Sequence, residues 1–175
     1  QLMALFLHSL QTEVEALNAQ GIALCFSGST ARLLPTLIEQ MQQAEQQTKH
    51  NTRLTVNIMI DYGGRWDIIQ ACQSLAMQVK HDEIDINDIN EERFSQTLMH
   101  PELGHPDLLI RTSGELRISN FFLWQLSYSE LFFSQKNWPD FDADEFQSAL
   151  QAYAQRKRRF GHAKACHSQT EDQYV

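Results

Sequence analysis

The chain has 175 residues, 42% of them hydrophobic, and a formal net charge of -8 from 14 Lys and Arg against 22 Asp and Glu. That size suits one domain, expected over 1–175 with a flexible tail at 163–175, and the acidic balance argues against a nucleic-acid or anionic-membrane surface, so any bound anion must be held by a local cluster of cations. Cys25, Cys72 and Cys166 are scattered without metal-ligand spacing, and no apolar run approaches the ~18 residues of a membrane span, so a cytoplasmic protein with free thiols is expected.

Leu2, Leu5, Phe6, Leu10, Val14 and Leu17 recur at helical spacing directly after Gln1. Neither an initiator methionine nor a capping residue precedes them, so the sequence is expected to begin inside a domain at Gln1. Gly21 closes that helix, and 22–26 reads as a buried strand. Ser27-Gly28-Ser29-Thr30 is expected to cap a helix running to about Thr48, with Leu33, Leu34, Leu37, Ile38 and Met41 inward; the turn lacks the lysine and spacing of a P-loop. Residues 53–60 are rich in β-branched side chains and read as a strand. Gly63 and Gly64 then mark a sharp turn where backbone amides can face a ligand, and a helix follows from Trp66 or Asp67 to about Val79. Strand alternating with helix is the rhythm of an α/β protein with an open, mostly parallel sheet and helices on both faces. After a polar loop at 81–90, Asn90-Glu91-Glu92-Arg93 starts a helix carrying Phe94 and Leu98, which His100-Pro101 ends. His100 and His105 read as loop residues, since no further His or Cys stands at ligand spacing.

Leu108, Leu109 and Ile110 form a short apolar run that suits a strand buried on both faces, and the run stops at a polar cluster. Open parallel sheets place their ligands beyond such strand ends. Arg111 and Arg117 offer two planar cationic forks there, Ser113 and Ser119 add hydroxyl donors, and Gly114 lets backbone amides come close, a set that suits a phosphate or diphosphate. The alternative is that Arg111 and Glu115, four apart, neutralise each other on a solvated turn. Residues 120–129 read as an amphipathic helix with Phe121, Leu123, Trp124 and Tyr128, and 131–133 as a last strand. Glu130, at their junction, is either paired with an arginine or aimed at a metal. Asp142 and Glu145 have the spacing of a capping box, and the final helix carries Phe146, Leu150, Tyr153 and Phe160. Its basic end, 156–159, also suits a plain helix C-terminus.

The order Arg111-Thr112-Ser113-Gly114-Glu115, Arg117-Ile118-Ser119-Asn120-Phe121, Tyr128-Ser129-Glu130-Leu131 and Trp138-Pro139-Asp140-Phe141, with Tyr62-Gly63-Gly64-Arg65-Trp66-Asp67 upstream, resembles the cis-prenyltransferases, and the bacterial undecaprenyl diphosphate synthases in particular. Members of that family extend an allylic diphosphate such as farnesyl diphosphate with isopentenyl diphosphate, making a Z double bond at each step, with Mg2+ as cofactor. The resemblance implies that Arg111, Arg117, Ile118 and Ser119 bind the phosphates of isopentenyl diphosphate and that Glu130 helps hold Mg2+. It further implies a homodimer in which Arg159 and Gly161 reach the partner's substrate, with 121–128 in the dimer surface, and transient membrane contact for product release. Asp61 departs from the Asn, Ser or Ala common before this tyrosine; pairing with Arg65 or an outward orientation would accommodate its charge. The family's Asp-Gly-Asn-Gly-Arg-Trp loop, which bears the catalytic aspartate, and its Ser-Ser-Glu-Asn motif occur nowhere in the 175 residues. The resemblance places that aspartate upstream of Gln1, so the 175 residues are expected to hold no catalytic residue, to correspond to the last two-thirds of a member and to be inactive alone. Two other readings stay open: a non-catalytic subunit of a heteromeric prenyltransferase, and an α/β module that binds another phosphate ester.

Overall fold

The computed structural model describes residues 2–156, the side chains of 2–4, 7 and 9–11 excepted. Gln1, where the chain is expected to begin inside a domain, therefore lies outside the described residues, as do Arg159, Phe160, Gly161, Cys166 and the expected tail at 163–175. The chain divides into two compact units, 1–105 with 118–127, and 106–117 with 128–175.

In the first unit, α1 (Leu2–Ala19) ends before Gly21, whose φ of +75° is the left-handed turn a glycine makes without strain. β1 (Ile22–Ser27) and β2 (Leu54–Met59) then pair in parallel, Ile22 opposite Leu54 and Ser27 opposite Met59. The connecting helix α2 (Pro35–Thr48) packs against β1, and Val14, Leu24, Phe26, Leu37, Met41, Ala44 and Ile60 form one buried core. Two backbone donors of β1 are satisfied from α2: the Leu24 N–H donates to Thr48 Oγ1 at 2.9 Å and the Phe26 N–H to Glu45 Oε1 at 3.0 Å. The strand thereby offers neither amide to another chain.

α2 starts later than its apolar pattern suggested. Residues 28–34 form a loop, Pro35 takes the first helical position, and Leu34 is 65% exposed rather than inward. The Ser29 hydroxyl accepts from the Ala31 N–H within that loop and caps no helix. α3 (Gly64–Lys80) buries Gly64, Asp67, Ala71 and Leu75, a stripe at helical spacing, and α4 (Glu91–Thr97) is capped as expected, with Asn90 Oδ1 accepting from the Arg93 N–H at 2.9 Å.

Residues 120–129 are not a helix but a run of turns. Ser119, Asn120 and Phe122 all have positive φ, at 48°, 63° and 43°, a conformation that no right-handed helix contains. The amphipathic pattern is real, with Gln125 and Leu126 buried and Trp124 half-buried, but it is served by an irregular chain.

In the second unit β3 (Leu108–Arg111) and β4 (Glu130–Phe133) form a second parallel pair, Leu108 opposite Glu130 and Arg111 opposite Phe133. The α/β class with parallel strands is thus the one observed, its described ladders being these two pairs. α5 (Ala143–Gln155) packs on β4, burying Ala149, while Phe146 and Leu150 are exposed. Asp142 caps it by accepting from the Glu145 N–H at 2.9 Å. The Glu145 carboxylate does not return the bond; it accepts from the buried Ser134 hydroxyl at 2.6 Å.

Candidate functional site

In the second unit, β3 delivers Arg111 to the strand end that the sequence marks. Its backbone is fixed by the ladder and by the Ser134 N–H, which donates to the Arg111 carbonyl at 2.8 Å. The side chain is half-buried, and its Nε is a buried donor with no hydrogen-bond partner among the described residues. A buried guanidinium N–H costs free energy until something accepts from it, so an acceptor, above all an anionic one, is favoured at that atom.

The turn after Arg111 is held differently from expectation. The Ser113 N–H donates to the Lys136 carbonyl at 2.7 Å and the Gly114 N–H to the Ser134 carbonyl at 2.9 Å, so neither amide is turned to a ligand. Gly114 is required for another reason: its φ is +65°, and a Cβ would stand 2.8 Å from Gln135 Oε1. Arg117 is ion-paired with Glu115, and Arg111 has no ion pair among the described residues. The expected convergence of Arg111 and Arg117 is therefore not made by any shared acceptor among the described residues. Glu130 Oε2 accepts from Arg156 Nη1 at 2.7 Å, the arginine-paired alternative for that carboxylate. Among the described residues no group of three or more His, Cys, Asp or Glu could hold a metal by itself. Lys136 bridges Asp142, at 3.0 Å, and Glu145, and hydrogen bonding to Asp142 raises its pKa; the Asp142 carboxyl is held low, first by the Glu145 N–H and then by Lys136.

In the first unit, Ile118 accepts from the Phe121 N–H at 3.0 Å, and Ser119 is exposed at the first positive-φ position. Asn120 is the pivot of this segment. Its carbonyl accepts from the Gly64 N–H at 2.7 Å and its Oδ1 from the Arg65 N–H at 2.9 Å, so it caps α3 from a distant place in the sequence. The glycine pair serves this approach: a Cβ on Gly63 would lie 2.7 Å from Asn120 Nδ2, and one on Gly64 2.8 Å from the Leu123 backbone nitrogen. The expected amide cradle for a ligand is at these two positions occupied by the protein's own chain.

Behind the turn lies a buried carboxylate that sequence reasoning missed. Asp67, 1% exposed, accepts from Tyr62 Oη at 2.8 Å, the Met99 N–H at 3.1 Å and Gln125 Nε2 at 3.1 Å. The Tyr62 ring packs edge-on against Trp66, Phe121 and Phe122, and burial, reinforced by Asp67, pushes its phenol pKa up. A signal was present: Asp67 falls on the same helical stripe as Ala71 and Leu75, where an acid must have partners. His100 Nε2 contacts the Phe26 carbonyl at 3.1 Å and its Nδ1 the Glu102 carboxylate at 2.7 Å, lowering the Glu102 pKa; His105 contacts the Gln125 carbonyl. Asp61 pairs with neither Arg65 nor solvent alone: Arg32 grips it, which raises the Arg32 pKa and lowers that of Asp61.

Residues 1–161 match the family described as "Putative undecaprenyl diphosphate synthase", a match that begins at Gln1 itself. A ditrans,polycis-undecaprenyl-diphosphate synthase ((2E,6E)-farnesyl-diphosphate specific) from Legionella pneumophila (strain Paris) is 48% identical over 160 residues, 91% of this chain and 67% of the relative. Its counterpart from Pasteurella multocida (strain Pm70) is 49% identical over 163 residues, 93% of this chain and 68% of the relative. The chain thus spans about two thirds of the length of these relatives. Among solved structures, lavandulyl diphosphate synthase from Lavandula x intermedia, in complex with dimethylallyl diphosphate, superposes with a TM-score of 0.86 at 37% identity, covering 92% of this chain and 70% of that one. A structure described as "a probable undecaprenyl diphosphate synthase" from Campylobacter jejuni gives 0.79 at 33% identity, covering 91% and 72%. With nearly the whole described chain matched in sequence and in fold, this protein belongs to the undecaprenyl diphosphate synthase family of prenyltransferases.

Proposed function

We propose that this chain carries the isopentenyl-diphosphate-binding portion of an undecaprenyl diphosphate synthase. In the reaction the allylic carbon–oxygen bond of farnesyl diphosphate breaks, diphosphate leaves with the bonding pair, the isopentenyl double bond makes the new carbon–carbon bond, and a proton is lost as a Z double bond forms. Repetition gives undecaprenyl diphosphate, a precursor of the lipid carrier for cell-wall synthesis. The observation that carries the assignment is the buried, unpartnered Nε of Arg111 at the end of β3, a cation waiting for an acceptor where the family motif assigns a diphosphate. Arg117 joins by exchanging Glu115 for phosphate oxygens, an exposed pair that costs little to break. By resemblance Ile118 and Ser119 complete the set.

Glu130 would hold Mg2+ as a single carboxylate once released from Arg156, and the ion would there neutralise diphosphate charge. A homodimer in which Arg159 and Gly161 reach the partner's substrate, and membrane contact for product release, belong to the same reading.

The test uses the 175-residue chain with isopentenyl diphosphate and Mg2+ in a titration calorimeter. Parent protein binds, and Arg111→Met weakens binding about tenfold or more while leaving the denaturation midpoint unchanged or higher, because it removes both the anion's partner and a buried unpaired donor. No turnover of labelled isopentenyl diphosphate is expected, since the aspartate-bearing loop is not in these residues. Equal binding by parent and Arg111→Met would refute the assignment.

A further inference from the structure

Asp61 stands immediately before Tyr62-Gly63-Gly64-Arg65, just past the C-terminal end of β2. Loops at that end of a parallel pair are where α/β proteins receive ligands, and a carboxylate there opposes an anionic one. Arg32, from the loop after β1, meets it with two prongs: Nε donates to Asp61 Oδ2 at 2.9 Å, and Nη2 reaches Oδ1. The two loops are tied by more than this pair. The Ser29 N–H donates to the Asp61 carbonyl at 3.3 Å and the Ile60 N–H to the Ser27 carbonyl at 2.8 Å. Gly28 passes so close that a Cβ would stand 1.9 Å from the Ile60 oxygen. Asp61 itself has φ +51°, a left-handed conformation that aspartate, with asparagine, adopts more readily than other non-glycine residues.

Stability does not explain the pair, because the Arg32 side chain is 80% exposed and exposed ion pairs contribute little. Charge does. The turn holds two carboxylates, Asp61 and Asp67, and the Asp67 donors are all neutral groups. Against them stand Arg32 and the exposed Arg65. Without Arg32 the turn would be net negative.

We propose that Arg32 is a positioning residue for prenyl diphosphate binding: it holds and neutralises the Asp61 carboxylate, so that the turn leading into Tyr62-Gly63-Gly64-Arg65 does not repel the diphosphate. The inference rests on the prenyl-diphosphate reading above. It makes Asp61 tolerable only in the company of Arg32, and it predicts that removing both charges is better than removing the cation alone.

The experiment measures the Kd of isopentenyl diphosphate with Mg2+ for the full 175-residue chain in four forms: parent, Arg32→Gln, Asp61→Asn and the double variant. Arg32→Gln is expected to bind about fivefold more weakly, an unscreened carboxylate near the ligand having an effect of that order, and more so at low salt. The double variant is expected to return to within about twofold of the parent, because the offending charge is gone. A purely structural pair would be broken equally in both, so a double variant as weak as Arg32→Gln overturns the inference, as does an Arg32→Gln that binds like the parent. Failure of the parent itself to bind isopentenyl diphosphate overturns the prenyl-diphosphate reading and the inference with it, which separates the two failures.

Discussion

At Asp67 a carboxylate is 1% exposed and faces three donors, none of them a cation. Burying such a charge costs several kcal/mol unless fixed dipoles replace its water. Tyr62, Met99 and Gln125 supply three of them, and the first turn of α3, where amide dipoles favour negative charge, supplies the rest. Asp67→Ala leaves three donors facing a void and is expected to cost about 3 kcal/mol or more, read as a fall in the urea midpoint. Asp67→Asn keeps the volume but turns one acceptor into a donor among donors, so it should fall between. A loss under about 1 kcal/mol in the alanine variant would mean that water replaces the carboxylate and that the network is not what joins these segments. Other single residues carry comparable constraints. Burial, then Glu45 and Glu102, push the Cys25 thiol up to about 11, so this half-buried sulfur stays a thiol at neutral pH and packs as an apolar group.

The elements depend on such residues for their ends. α3 has no side-chain cap of its own, Gly63 standing at that position, and takes both acceptors from Asn120. Asn120→Ala should cost about 2 kcal/mol, combining a lost cap with an alanine forced to positive φ, whereas Asn120→Gly keeps the conformation and should cost about 1 kcal/mol. Equal losses in a denaturation series would assign the whole effect to the lost oxygen. The same contact marks the limit of what the sequence could tell. Strands β1 to β4, α3, α4 and the start of α5 follow local periodicity and local caps such as Asn90 and Asp142, and are legible to within a few residues, whereas Arg156, expected within the last helix, is already extended. Residues 120–129 have the right apolar spacing for a helix, but a demand from α3 bends Asn120 into a left-handed conformation, and no local pattern announces that. The start of α2 fails for a related reason: Arg32 is drawn to Asp61 and Pro35 sets the first turn. In the site, the place of Arg111 was legible because an apolar run ends there. Which carboxylate each arginine meets was not, since Glu130 and Asp61 are reached through space and Glu115 pairs with Arg117, two residues away, instead of Arg111.

For the molecule as a whole, the signs of the pKa shifts fix how stability responds to pH. The carboxyls of Asp61, Glu102 and Asp142 are held below their ordinary values of 3.8, 4.5 and 3.8 by Arg32, by His100, and by the Glu145 N–H with Lys136, respectively. A depressed carboxyl stabilises the folded chain above its unfolded pKa, and that contribution disappears as pH falls through the folded one, so stability should decline below pH 4.5. On the alkaline side Cys25 keeps its proton from 9.0 to about 11, and Tyr62 and Lys136 are raised from 10.0 and 10.5. Over that range the unfolded chain releases protons that the folded chain retains, so stability should fall again above pH 9.0. The two limbs have different physical origins. The Asp61 and Asp142 pairs are exposed, so about 0.5 M sodium chloride should shrink their part of the acid limb. Cys25 and Tyr62 are shifted first by burial, which salt does not screen, so their part of the alkaline limb should survive. Urea midpoints taken across pH at two salt concentrations give the comparison directly, and Cys25→Ala should flatten the first part of the alkaline fall. If salt reduces both limbs equally, the alkaline shifts are set by exposed charges rather than by burial, and the packing assigned here to Cys25 and Tyr62 is wrong.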